Sequence, residues 1–222
     1  MKTTQTAVAV FVKTPGLSPF KTRLAKGIGN TQAHNFYLLS LNAIKETIQN
    51  TAITPYWAVA EKEALDHPMW QDFSTLHTGE GNLGERQHHI YETLLSRHDH
   101  VLLIGADAPQ LSKTIIKQAI QALDSHEFVV GPATDGGYYL FGGRISTVKK
   151  IWKSVPWSTS ETLNKLTNAL PEKPFHLTSL TDVDTQDDLK YVETEMSDPL
   201  NPNQQQLLEW IESRKTSPLW NK

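Results

Sequence analysis

Three groups of residues in this sequence are chemically suited to act together. Lys13, Lys21 and Arg23 fall within a short stretch that also holds Pro15, Gly16 and Pro19, directly after an apolar run. A pyrophosphate needs cations and backbone N–H groups converging on one spot, and a constrained loop supplies both; a solvated basic loop is the alternative. Asp107 follows the apolar run 101–104 and Gly105. A carboxylate just past a buried strand is costly unless it meets a metal or a cation, and the other explanation, a helix N-cap, is better filled by Ser112. Asp182 and Asp184 alternate in an extended segment, so they share a face and could join Asp107 around a divalent cation. Equally, Asp184 or Thr185 could cap a helix carrying Asp187 and Asp188 in its first turn. Asp135-Gly136-Gly137 is either a tight hairpin or a place where backbone approaches a ligand. Neither a Walker loop nor a GxGxxG dinucleotide motif is present.

The elements that must position these residues alternate. Residues 7–12 form an apolar, β-branched run suited to a strand buried on both faces. A polar loop is expected over 14–30, then an amphipathic helix over 31–50 capped by Asn30 or Thr31. Strands are expected at 56–60, 101–104, 128–130, 138–141 and 175–177. Helices are expected at 83–95, 114–123, 159–170, 185–195 and 204–212. Such alternation argues for an α/β fold with a mostly parallel sheet. In such sheets ligands sit at the carboxyl ends of strands near the topological switch point, where all the acids and cations above would lie. The division expected is one domain over 1–198 with a C-terminal helical extension over 199–222.

Composition narrows the chemistry. The 222 residues contain 21 Lys plus Arg against 24 Asp plus Glu, a net charge of −3, which gives no basic surplus for nucleic acid. Cysteine is absent, which removes disulfide scaffolds, thiolate metal sites and cysteine nucleophiles, and leaves oxygen and nitrogen ligands. The first apolar run is too short for a signal sequence or a membrane span, so a cytosolic protein is expected. Oligomeric state is not legible.

The segments FVKTPGLSPFKTRLA, NLGERQ, LLIGADAPQL, GPATDGGYYLFG, VPWSTSET and TDVDTQDDL occur, in this order, as in a bacterial family of GT-A-type, glycosyltransferase-like proteins. That family is similar to 2-phospholactate guanylyltransferase and, more distantly, to molybdenum-cofactor guanylyltransferases and nucleotide-sugar pyrophosphorylases. The resemblance spans residues 8–189. It implies a single-domain nucleotide-diphospho-sugar transferase fold, a Rossmann-like sheet flanked by helices, with a nucleotide substrate and Mg²⁺ or Mn²⁺. By the same resemblance Lys13, Pro15, Gly16, Lys21 and Arg23 surround the phosphates, and Gly84 and Arg86 lie near base and ribose. Asp107 carries the metal, with Asp184 or its rival Asp182 completing the site. Here the acidic motif reads Gly-Ala-Asp-Ala-Pro, so one half of a DxD-like pair is missing. Asp135, Gly136 and Gly137 resemble the acceptor side, to which the resemblance also assigns Trp157; Trp157-Ser158-Thr159 matches a family motif without an evident physical role, a Trp-capped turn and helix start being the alternative.

Two reactions fit these residues. In one, a glycosyl group passes from a nucleotide-activated sugar to a small acceptor, with Asp107, Asp135 and Lys21 as the catalytic set. In the other, a phosphorylated metabolite attacks a nucleoside triphosphate and pyrophosphate leaves. A non-catalytic nucleotide-binding module is the third reading. Glycosyl transfer is ranked slightly first.

Overall fold

A computed structural model describes residues 5–196 and 199–215. Seven strands form one sheet: β1 (Thr6–Val12), β2 (Thr54–Val59), β3 (Ser74–His77), β4 (His100–Ile104), β5 (Phe128–Pro132), β6 (Tyr138–Gly143) and β7 (Phe175–His176). Their spatial order is β3-β2-β1-β4-β6-β5-β7. Every pairing is parallel except those of β6, which runs antiparallel to both β4 and β5. The expected mostly parallel α/β sheet is therefore present. From β1 the chain moves outward through β2 and β3, then returns to the other side of β1 as β4. The switch point lies between the carboxyl ends of β1 and β4.

Helices cover both faces: α1 (Thr22–Ile28), α2 (Asn30–Gln49), α3 (Leu83–Leu95), α4 (Lys113–Leu123), α5 (Lys149–Ser154), α6 (Thr162–Ala169), α7 (Leu189–Glu195) and α8 (Pro202–Lys215). The period-two alternation of β1 decides what packs where. Val8, Val10 and Val12 join Tyr37, Leu41 and Ile44 of α2 and Ile116 of α4 on one face. Ala7 and Ala9 meet Ile90 and Tyr91 of α3, Trp152 of α5 and Leu166 of α6 on the other. The small alanines leave room for the larger aromatics opposite. A third apolar cluster ties α1, α2, α7 and α8 together through Leu24, Phe36, Val192 and Leu207.

Several expectations need correction. The loop expected over 14–30 contains α1, separated from α2 by the single residue Gly29 at φ 85°, and Gly29 stands where a capping side chain was expected. The edge strand β3 and the short helix α5 were not foreseen. The helix expected at 159 begins at Thr162, because residues 157–160 form a turn, and that expected over 185–195 splits into a 3₁₀ turn, Gln186–Asp188, followed by α7. α8 is fastened by polar side chains: Asn201 Nδ2 donates to Thr47 Oγ1 (2.9 Å) and Gln204 Nε2 to the Pro109 carbonyl (2.9 Å). Among the described residues no helix is long and apolar enough to cross a membrane.

The β5–β6 connection packs tightly on the start of α6. Gly136 has φ 90°, and a Cβ there would lie 2.1 Å from the Ser160 carbonyl oxygen. Gly136→Ala should therefore cost on the order of 2–3 kcal/mol. Urea denaturation checks this, and an unchanged midpoint would contradict the packing described.

Candidate functional site

The loop after β1 is held at its base. Tyr37 of α2 bonds both ends of the Lys13 peptide unit: the Lys13 amide donates to the Tyr37 hydroxyl (3.0 Å), which donates to the Lys13 carbonyl (2.7 Å). Pro15 and Gly16 occupy the middle of a turn closed by the Leu17 amide on the Thr14 carbonyl (3.1 Å), with Gly16 at φ 87°, as a type II turn requires. The Thr14 amide donates to Glu61 Oε2 (2.9 Å). Burial pushes the Glu61 carboxyl up, but hydrogen bonds from Ser18 and Thr14 outweigh it and hold the group below its ordinary range. Sequence reasoning missed Glu61, although it follows a strand as Asp107 does.

Lys21 sits immediately before α1 in the left-handed region, φ 49°. For a non-glycine residue this costs about 1–2 kcal/mol, and what it achieves is to turn the side chain inward. Only 4% of that side chain is exposed, yet its ammonium lies 2.9 Å from Asp107 Oδ1. It also donates to the Val183 carbonyl and stands 5.5 Å above the Phe36 ring. One buried cation thus joins the loop after β1, the loop after β4 and the segment 182–184.

The acidic segment is fixed independently. The Val183 amide donates to the Asp107 carbonyl (3.0 Å), and the Thr134 amide to the Leu180 carbonyl (3.1 Å). Behind it, Glu195 accepts from the Thr181 amide (2.7 Å), the Thr181 hydroxyl (2.6 Å) and Gln110 Nε2 (2.7 Å). No local pattern in the sequence announces Glu195, because all its partners are distant in the chain. Asp182, left between these anchors, has its carboxyl pushed up to about 7, first by burial and then by the charge of Asp107, with Asp135 and Asp184 adding to it against Lys21. Asp184 is drawn outward into an ion pair with Arg23. The Asp184 and Thr185 amides donate to Asp188 Oδ2 (3.0 and 2.7 Å), so this segment is also a helix start.

Among the described residues no three His, Asp or Glu side chains are grouped to hold a metal by themselves. Mg²⁺ is commonly held by one or two carboxylates with phosphates completing the shell. Asp107 and Asp182 suit that arrangement: Asp107 is paired with Lys21 but stays 42% exposed, and Asp182 lies close enough for the two carboxyl groups to repel.

A cavity of about 350 Å³ opens over the carboxyl ends of β1 and β4, a volume within the range of small-ligand sites. Lys13, Lys21 and Asp107 line one part, and Arg86, Gln87 and Tyr138 another. Arg86 is oriented by the Gly81 carbonyl (3.1 Å) and the Thr78 hydroxyl (3.4 Å), while Asn82 and Glu85 cap α3 reciprocally. Tyr138 donates to Gln87 Oε1, a pairing not foreseen. Gly84 and Trp157 do not line this cavity. A Cβ on Gly84 would meet the Trp157 indole nitrogen at 2.2 Å, and Trp157 stacks on Trp152 at 6.0 Å and 9°. Together they buttress the wall that carries Tyr138. Asp135, whose Oδ1 accepts from the Gly137 amide (2.8 Å), lies with Asp182 and Asp184 beyond the cavity lining. Pro15, Gly16 and Arg23 do not line it either.

A family model described as "Uncharacterized protein conserved in bacteria (DUF2064)" matches residues 43–159. No curated protein matches the sequence. Among solved structures, a candidate nucleotide-diphospho-sugar transferase from Desulfovibrio desulfuricans G20 superposes with a TM-score of 0.81 at 24% identity, over 98% of this chain and 97% of that one. CMP:2-keto-3-deoxy-manno-octonic acid synthetase complexed with CTP gives 0.52 at 12% identity, over 87% and 98%. The 4-diphosphocytidyl-2C-methyl-D-erythritol synthase of Anaerococcus prevotii DSM 20548 gives 0.53 at 12%, over 87% and 95%. The chain has the nucleotide-diphospho-sugar transferase fold.

The raised Asp182 carboxyl has a consequence for stability. Its ordinary value is 3.8 and its folded value about 7, so the folded chain binds the extra proton across that window and stability falls as pH rises through it. Asp182→Asn should therefore raise the melting temperature at pH 8 and change it little at pH 4. Equal shifts at both pH values would contradict the burial and repulsion assigned to this carboxyl.

Proposed function

The chain belongs to the bacterial DUF2064 family, and from that premise we propose that it is a transferase moving a glycosyl group from a nucleotide-activated sugar to a small acceptor. The observation that carries this is Lys21, a buried cation at the switch point, bound to Asp107 and the Val183 carbonyl beside a cavity large enough for a nucleotide. The fold and the name of the Desulfovibrio desulfuricans neighbour support a nucleotide-dependent transferase, while the synthetase solved with CTP, a nucleoside triphosphate, favours nucleotidyl transfer as the second reading. Nucleic acid is not a partner on this account, and the reaction is placed in the cytosol.

Lys13 and Arg86 hold the nucleotide from opposite parts of the cavity, and Lys21 offsets charge on the diphosphate as it departs. Asp107 and Asp182 would hold Mg²⁺ or Mn²⁺, which when bound supplies further neutralisation of the leaving diphosphate. The bond from the sugar's anomeric carbon to the phosphate oxygen breaks, its electron pair leaving with the nucleoside diphosphate. An acceptor oxygen forms the new bond, and its proton passes to the Asp135 carboxylate, a general-base contribution of about 10²–10⁴-fold.

The test is product analysis with a panel of nucleotide sugars in Mg²⁺ or Mn²⁺, alongside nucleoside triphosphates mixed with phosphorylated metabolites. Nucleoside diphosphate release from a nucleotide sugar is expected, and is lost in Asp107→Asn while circular dichroism shows the fold retained, with a lower melting temperature because the buried Lys21 loses its counter-charge. Pyrophosphate release from a triphosphate would instead establish nucleotidyl transfer, and no thermal-shift response to any nucleotide would contradict both.

A further inference from the structure

Charge is divided unevenly across the site. On the cavity side, the Lys13 ammonium meets the Pro19 carbonyl (3.0 Å) and the Arg86 guanidinium meets the Gly81 carbonyl and the Thr78 hydroxyl. Neither makes an ion pair with a carboxylate among the described residues. On the opposite rim the situation reverses. Lys21 is engaged by Asp107 and Arg23 by Asp184, while Asp135 makes no ion pair among the described residues. Backbone bonds tie together the segments that carry these acids: Thr134 to Leu180 (3.1 Å) and Val183 to Asp107 (3.0 Å). The Thr134 and Thr181 hydroxyls also meet, at 3.3 Å. The adjoining exposed loop, Ser158 to Glu161, brings hydroxyls and a further acid but no cation. Gly136 places it there, in contact with the Ser160 backbone.

A divalent cation does not reverse this balance, because a nucleotide sugar arrives with two phosphate charges that cancel it. The rim facing the acceptor therefore stays negative with the site filled.

We propose that the acceptor entering beside Asp135 is an uncharged or cationic molecule bearing a hydroxyl or amine, and that phosphorylated or carboxylated acceptors are rejected there. This rests on the glycosyl-transfer reading for its chemistry. The acceptor's O–H or N–H hydrogen goes to Asp135 as a proton, the oxygen or nitrogen bonds to the anomeric carbon, and the nucleoside diphosphate leaves with the electron pair. Like charges at the rim set the discrimination, expected to be at least about tenfold.

Because the chain lacks cysteine, Ser160→Cys creates a single thiol at the rim, and Ser158→Cys an independent second. The rates of modification by cationic and anionic methanethiosulfonate reagents, each normalised to free cysteine, read the local charge directly. The cationic reagent should react about ten times faster, and Asp135→Asn in the same background should narrow the gap. A ratio at or below one overturns the proposal. With the donor that the protein turns over, matched pairs of glycerol with glycerol 3-phosphate and glucose with glucose 6-phosphate should show the neutral member stimulating nucleoside diphosphate release. Preference for the phosphorylated member, or equal use, overturns it. A chain that releases no nucleoside diphosphate from any sugar yet keeps the tenfold thiol ratio contradicts the transfer reading and leaves charge selection at the rim standing.

Discussion

A lysine ammonium with almost no access to water must be paired, and the pairing of Lys21 organises everything around it. Its ligands come from two segments far apart in the chain, Asp107 and the Val183 carbonyl. Satisfying that one charge brings the loop after β1 against the loop after β4 and the acidic segment before α7. The left-handed backbone at Lys21 is a local cost accepted for this inward direction. Asp107 remains 42% exposed, so the pair is sealed on the lysine side and open on the carboxylate side. Such an arrangement suits a carboxylate that must also meet a ligand.

Around this centre the molecule is built from two supports. The first is the Tyr37 and Glu61 clamp on the loop after β1, which fixes where the cations emerge. The second is the aromatic buttress of Trp152 and Trp157, pressed on Gly84 of α3 and edge-on to Tyr138 at 6.4 Å. The motif around Trp157 thus acquires a structural account. It joins the start of α3 to the wall carrying Tyr138, and the turn following it packs on the Gly136 loop, so the cavity and the Asp135 loop are aligned by one piece of chain.

What was legible in the sequence follows from range. Asp107 stood out because a carboxylate just past an apolar strand has few explanations that do not involve a partner, Lys21 because it shares a short constrained loop with two other cations, and Asp182 because it alternates with Asp184, while α3 was read with its observed bounds. β3, with the sequence Ser-Thr-Leu-His, is a short edge strand without alternation enough to mark it. α1 was hidden in a stretch rich in proline and glycine, and α5 in a six-residue basic run. Glu195 and the Gln87–Tyr138 pair act through bonds across long separations, which no window of sequence displays. The roles of Arg23 and Asp184 are the instructive case: both were placed at the phosphates or metal, and the fold directs them first to each other.

On the proposed function, diphosphate recognition depends on the Lys21 ammonium. Titration calorimetry of nucleoside diphosphates with Mg²⁺ into the wild-type chain and Lys21→Met, with the matching nucleosides as controls, measures it most directly. Diphosphate affinity is expected to weaken by at least about tenfold, in keeping with a lost charge-assisted contact, with nucleoside affinity nearly unchanged. Equal diphosphate affinities in a folded variant would contradict it.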